Sequence, residues 1–149
     1  MKIVDATRGS AIGIEPDRTV THAAELMEQA GVGALVVLEG EAVIGMVTDR
    51  DLVRRALARR LPGDCRVDGV MTSPVVTVDA DADVREAFAL FGAHAVRRLP
   101  VISAGRFVGM FTIDDALVAV ARDLGDLVRP VTAELLFVHR DPVAPVVAT

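Results

Sequence analysis

The chain has 149 residues, 52% of them hydrophobic and 25% charged, with a formal net charge of −5. That length fits one compact domain with a sizeable core, and the acidic balance argues against a nucleic-acid binder, which presents a basic face. A lone cysteine, Cys65, excludes an intrachain disulfide and suits a reducing, cytoplasmic compartment. Nothing approaches the roughly 20 apolar residues of a membrane span, and the charge in Met1-Lys2-Ile3-Val4-Asp5 comes too early for a signal peptide. No membrane association is therefore expected.

In chain order, a short extended piece over Ala11 to Ile14 precedes Pro16-Asp17-Arg18-Thr19, a turn-rich helix start. Val20, Ala23, Ala24 and Met27 then recur at helical spacing. Ala34 to Leu38 and Ala42 to Val47 read as two strands around the turn Glu39-Gly40-Glu41. A second helix opens at Thr48. Leu61-Pro62-Gly63-Asp64 is a linker, after which the order repeats. Val75 to Val78 is extended, Asp79 to Asp83 starts a helix, and Val84, Ala87, Phe88 and Phe91 line its apolar face. Leu99 to Ile102 and Arg106 to Phe111 are strands, and a helix opens at Thr112.

The repetition is in register. Shifted by 64 positions, Val20 falls on Val84, Leu35 on Leu99, Gly45-Met46 on Gly109-Met110, Thr48 on Thr112 and Asp51 on Asp115. A register kept through helix, strand and turn implies two copies of one supersecondary unit, related by a pseudo-twofold axis. Residues 1–61 are assigned to the first copy, 62–124 to the second and 125–149 to a C-terminal tail without a counterpart in the repeat. Within the tail, Glu134 to Val138 either adds a strand or lies on a partner, and Pro142 to Thr149 is expected to be mobile.

The polar matches lie where a strand meets a helix. The first N–H groups of a helix lack intrahelical partners and favour an anion. A Thr hydroxyl there can donate to a phosphate, and an Asp one turn on can accept from a ribose. The same Thr-x-x-Asp spacing also makes a capping box, in which the two residues serve only the helix. His22, His94 and His139 have no metal-like spacing to one another or to Cys65, and no metal site is expected. The run Arg50, Arg54, Arg55, Arg59, Arg60 reads as a solvated helix face. There is no nucleophile with its base and no P-loop or Rossmann glycine pattern, so an enzyme is not expected.

Asp68-Gly69-Val70-Met71-Thr72 before the second copy, Arg97-Arg98-Leu99-Pro100-Val101 within it, and Gly-x-x-Thr-x-x-Asp closing both copies resemble the cystathionine-β-synthase (CBS) domain over about residues 1–122. The resemblance implies an α+β fold of two β-α-β-β-α repeats, packed pseudo-symmetrically into one Bateman module. It implies two clefts able to hold AMP, ADP, ATP or S-adenosylmethionine as a regulatory ligand, with no required cofactor, and pairing of modules into a homodimer. Carried over by motif, Thr48 and Asp51 serve one cleft and Thr112 and Asp115 the other, each Thr on phosphate and each Asp on ribose. Arg97 and Arg98 match a basic pair that reaches phosphates, where the first copy has Gly33-Ala34. Arg50 has Asp114 as its counterpart, so the clefts should differ, with Arg50 the only arginine offered to the cleft that the pair does not reach. The expected function is a stand-alone regulatory sensor that signals to a protein partner or through dimer rearrangement. The alternative is an interaction or structural dimer module with vestigial, ligand-free clefts.

Overall fold

The computed structural model describes residues 1–138 apart from Ser10. They fall into two compact units, Met1–Ala116 and the chain from Leu117 onward.

In the first unit, α1 (Ile3–Ala6) is followed by β1 (Gly13–Ile14), α2 (Val20–Ala30), β2 (Ala34–Glu39) and β3 (Ala42–Thr48). A short α3 (Asp49–Asp51) runs directly into a π-helical segment, Leu52–Leu57. The second copy gives β4 (Val78–Asp79), α4 (Val84–His94), β5 (Arg98–Ser103), β6 (Arg106–Thr112) and the start of α5 (Ile113–Val138). Each repeat builds a three-stranded sheet, β1-β2-β3 and β4-β5-β6, with one parallel and one antiparallel pairing.

The two repeats are alike because their local chemistry is alike. Thr19 caps α2 by accepting from the His22 N–H, and Asp83 caps α4 by accepting from the Arg85 N–H. Both helices end on a left-handed residue, Gly31 (φ 64°) and Ala95 (φ 52°). In the first repeat Val20, Ala23 and Met27 of α2 pack on Leu35, Val37 and Val47 of the sheet. In the second, Phe91 stacks on Phe111 with ring centroids 6.0 Å apart.

Each repeat also reaches into the other. The segment before the second repeat pairs with β3, where Thr72 and Met46 exchange main-chain hydrogen bonds of 2.8 and 3.0 Å. The segment before the first repeat does the same to β6 through the Gly9–Met110 bridge. This crossing explains the repeated glycines. A Cβ on Gly45 would fall onto Met71 Sδ and lie 3.1 Å from the Thr72 carbonyl oxygen, whereas one on Gly109 would meet only Thr7 Cγ2 at 3.3 Å. The N-terminus is tied down as well. Ile3 is fully buried, and its N–H donates to the Ala82 carbonyl at 2.9 Å.

Helix α5 runs on through Gly125 and Pro130 to Val138, so no strand forms over Glu134 to Val138. A proline removes one helical hydrogen bond, and here it does not end the helix. Leu117, Val120, Leu124, Leu127, Val131 and Leu135 continue at spacings of three and four residues on either side of it. The expectation for Pro142 to Thr149 falls outside the described residues.

Candidate functional site

A cleft of about 510 Å³ opens between the repeats within the first unit. The first repeat contributes Met46, Thr48, Asp49, Arg50 and Asp51, from the end of β3 and the start of α3. The crossing segment contributes Thr72, Pro74, Val75 and Val76. The second repeat contributes His94, Val96, Arg97 and Arg98, from the end of α4 and the entry to β5. The lining thus combines apolar side chains, Val75, Val76 and Val96 among them, with the cations Arg50, Arg97 and Arg98, the hydroxyls of Thr48 and Thr72 and the carboxylates of Asp49 and Asp51. A volume of this size suits a small-molecule ligand.

The structure thus brings Thr48, Arg50, Asp51, Arg97 and Arg98 to one place. This corrects one expectation: Arg50 lies in the same cleft as the arginine pair, not in the opposite one. The cause is the crossing of the repeats, which turns the α4–β5 junction of the second copy toward the β3–α3 turn of the first. Thr112 and Asp115 do not line this cleft. Sequence reasoning passed over Thr72 and the apolar side chains of Val75, Val76 and Val96. Thr72 stood in the Asp68-to-Thr72 motif, and only the crossing shows what it faces.

Thr48 and Asp51 form a capping box. The Asp51 N–H donates to Thr48 Oγ1 at 3.1 Å, and the Thr48 N–H donates to Asp51 Oδ2 at 2.9 Å. Among the described residues the Thr48 hydroxyl proton has no acceptor, and Asp51 Oδ1 has only the Arg55 guanidinium, at 3.8 Å. Capping and ligand binding are therefore compatible here. The second copy differs. The Thr112 N–H and hydroxyl both donate to Asp115 Oδ2, at 2.9 and 2.8 Å, and Asp115 is only 7% exposed.

The arginine pair is held by main-chain contacts. The Arg97 carbonyl accepts from the Ile113 N–H at 3.1 Å, as the Gly33 carbonyl accepts from the Asp49 N–H at 3.0 Å in the first copy. Both arginine side chains are exposed, and among the described residues neither has a carboxylate within 4.0 Å. No group of three His, Cys, Asp or Glu is placed to hold a metal ion among the described residues.

The CBS domain family model matches residues 5–58 and 67–122, one match per repeat. The chain belongs to the CBS-domain family. Among curated relatives, the CBS domain-containing protein YhcV of Bacillus subtilis is 34% identical over 105 residues, covering 70% of this chain and 75% of its own. The crystal structure of Hypoxic Response Protein I, which holds two coordinated zinc ions, is 32% identical and covers 82% of this chain and 98% of its own, with a TM-score of 0.68. PAE2072 of Pyrobaculum aerophilum, a CBS domain protein complexed with AMP, has a TM-score of 0.72 at 23% identity and covers 82% of this chain and 99% of its own. The fold is therefore that of a tandem CBS module. No helix among the described residues is long and apolar enough to cross a membrane.

Proposed function

We propose that this CBS pair is a regulatory module, not an enzyme, which binds an adenosine-containing ligand and signals by a change of shape or of subunit packing. The observation that carries the reading is the meeting of Thr48 and Asp51 from one repeat with Arg97 and Arg98 from the other on a single cleft. Guanidinium forks suit phosphate oxygens. The Thr48 hydroxyl can add a donor, and Asp51 Oδ1 can accept from ribose hydroxyls. The apolar side chains of Val75, Val76 and Val96 offer a dry surface to a base. The AMP held by PAE2072 on the same fold supports the ligand class. Thr112 and Asp115 are assigned to a second, weaker site, because the hydroxyl proton of Thr112 is already given to Asp115.

The module is further proposed to act as a homodimer in the cytoplasm. Among apolar helix positions, Leu26 and Phe88 are half-buried, whereas Leu117 and Val120 are exposed and begin the apolar stripe of α5. Exposed apolar faces include those of α5 and of Val53 and Leu57 on the π-helical segment.

The decisive experiment uses the absence of Trp and Tyr. The protein absorbs little near 280 nm, so a co-purified adenine stands out near 260 nm and is identified by mass spectrometry. Calorimetry with AMP, ATP and S-adenosylmethionine then ranks them. Protein free of adenine that takes up none of the three overturns the sensor reading in favour of an interaction module with empty clefts.

A further inference from the structure

Five arginines follow one another in the first repeat, and the sequence reads them as a solvated helix face. The structure keeps most of them exposed and gathers four on one concave surface. Arg50, Arg54, Arg55 and Arg59, with Asp51, line a second cavity of about 350 Å³. On a regular α-helix, at about 100° per residue, Arg59 would stand on the face opposite Arg50. The π-helical segment Leu52–Leu57 lies between them, and the Ala58 N–H donates to the Val53 carbonyl at 2.8 Å, five residues back. The Leu61 N–H does the same to the Ala56 carbonyl at 3.0 Å. Such turns are wider than α-helical ones. Spacings of four and then five residues, from Arg50 to Arg54 to Arg59, accordingly follow one face of the chain. Short π-helical insertions are rare and concentrate at functional sites.

The four side chains are not equivalent. Arg55 is committed: its Nη1 donates to the carbonyls of Val70 and Met71, both at 3.1 Å, and to Thr72 Oγ1 at 3.2 Å. Arg50, Arg54 and Arg59 are exposed and have no carboxylate within 4.0 Å among the described residues. Asp51 is the one acid lining the cavity, and its Oδ2 is occupied by the Thr48 N–H. Three unpaired guanidinium groups thus converge on a concave surface of a protein whose net charge is −5. Arg50 and Asp51 line this cavity and the inter-repeat cleft alike, so the two adjoin. The second repeat lacks the device. Its helix is regular there, and Asp114, Val118 and Asp123 stand where the first repeat has Arg50, Arg54 and Arg59.

We propose that the π-helical segment builds an arginine groove that extends the cleft and takes the distal phosphates of a polyphosphate chain. The preferred ligand is then a nucleoside triphosphate or a longer polyphosphate, in preference to a monophosphate or S-adenosylmethionine. This rests on the reading of the inter-repeat cleft as a nucleotide site. The α- and β-phosphates lie by Arg97, Arg98 and Arg50, and the chain continues past Arg50 to Arg54 and Arg59.

The test is calorimetry of AMP, ATP and inorganic tripolyphosphate on the full chain and on the R54A/R59A variant. Both positions are exposed, so an unchanged melting temperature verifies the fold. ATP should bind the parent protein at least about tenfold more tightly than AMP, as expected for added charge-assisted contacts. In the variant that advantage should fall to about threefold or less while AMP affinity stays within about twofold. An unchanged ratio of ATP to AMP affinity overturns the groove and leaves the nucleotide cleft standing. If neither nucleotide binds but tripolyphosphate binds the parent and not the variant, the groove stands and the nucleotide reading falls. If tripolyphosphate also fails, both fall.

Discussion

Thr112 gives both of its protons to the same oxygen of Asp115: its main-chain N–H reaches Oδ2 at 2.9 Å and its hydroxyl at 2.8 Å. The matching pair in the first repeat, Thr48 and Asp51, shares only main-chain-to-side-chain bonds, 64 residues earlier in the same register. One motif has thus been specialised in two directions, one copy closed on itself and the other left with donor and acceptor capacity.

Removing the carboxylates should separate these roles. Asp115→Ala should lower stability by about 1–2 kcal/mol, since a cap and a buried hydrogen-bonded pair are lost together. Asp51→Ala should cost less stability but weaken nucleotide binding by about 1.5–3 kcal/mol. Urea denaturation and calorimetry on both variants read the two effects. Equal losses of stability with no loss of affinity would make Asp51 a cap only.

The arginine pair should carry the salt dependence of binding. Two exposed guanidinium groups facing phosphates are screened within about 10 Å at 0.1 M salt. In R97A/R98A, AMP should bind no better than adenosine, and its affinity should respond less to sodium chloride between low and physiological concentration. An AMP affinity with the parent's salt slope would return the pair to the protein surface as solvated charge.

Gly45 and Gly109 match in sequence but not in surroundings. Gly45→Ala should destabilise by about 1–3 kcal/mol, because the Cβ meets the main chain of Thr72 as well as the Met71 side chain. Gly109→Ala has only the Thr7 methyl to displace and should cost clearly less. Chemical denaturation of the two variants orders them, and the reverse order would refute the crossing geometry.

Ala95 occupies the left-handed position that Gly31 holds in the first repeat, with φ of 52° against 64°. An L-residue there costs roughly 1–2 kcal/mol of backbone strain. Ala95→Gly should recover part of that, raising stability by about 0.5–1 kcal/mol after the added entropy of the unfolded chain. Because His94 and Arg97 flank this residue in the cleft wall, the variant's nucleotide affinity also tests whether the fixed turn positions them.

The α5 stripe should mediate self-association. Leu124, Leu127, Val128, Val131 and Leu135 are all exposed, Leu127 at 70%. Covering such a stripe at roughly 100 Å² per side chain approaches the area of a small specific interface. L124E/L127E should shift the mass from dimer to monomer in light scattering across a range of concentrations. A dimer that survives both charges would move the interface elsewhere, with Val53 and Leu57 the next candidates.

The two repeats, their strands and both Thr-x-x-Asp turns were legible because each depends on contacts near in sequence. Periods of two and of 3.6 residues, a capping side chain and a glycine turn act over a few positions, and the 64-residue register doubled every signal. The end of the second repeat was less legible. Pro130 and Gly125 look like breakers, yet the apolar spacing of Leu124, Leu127, Val131 and Leu135 carries the helix across them. Helix α1 was also missed, since it is tied down by contacts distant in sequence, such as that of the Ile3 N–H with the Ala82 carbonyl.

By itself the sequence determined the fold class, the duplication and the residue types available for phosphate and ribose. It did not determine which of them meet. The crossing of each repeat's leading segment onto the other's sheet brings Arg97 and Arg98 to Thr48, and this depends on contacts distant in sequence. The arginine groove depends on a change of helical pitch between Leu52 and Leu57 that no local periodicity announces. A side chain's place on a helix is the accumulated angle of every residue before it, so one wider turn moves Arg59 to the face of Arg50.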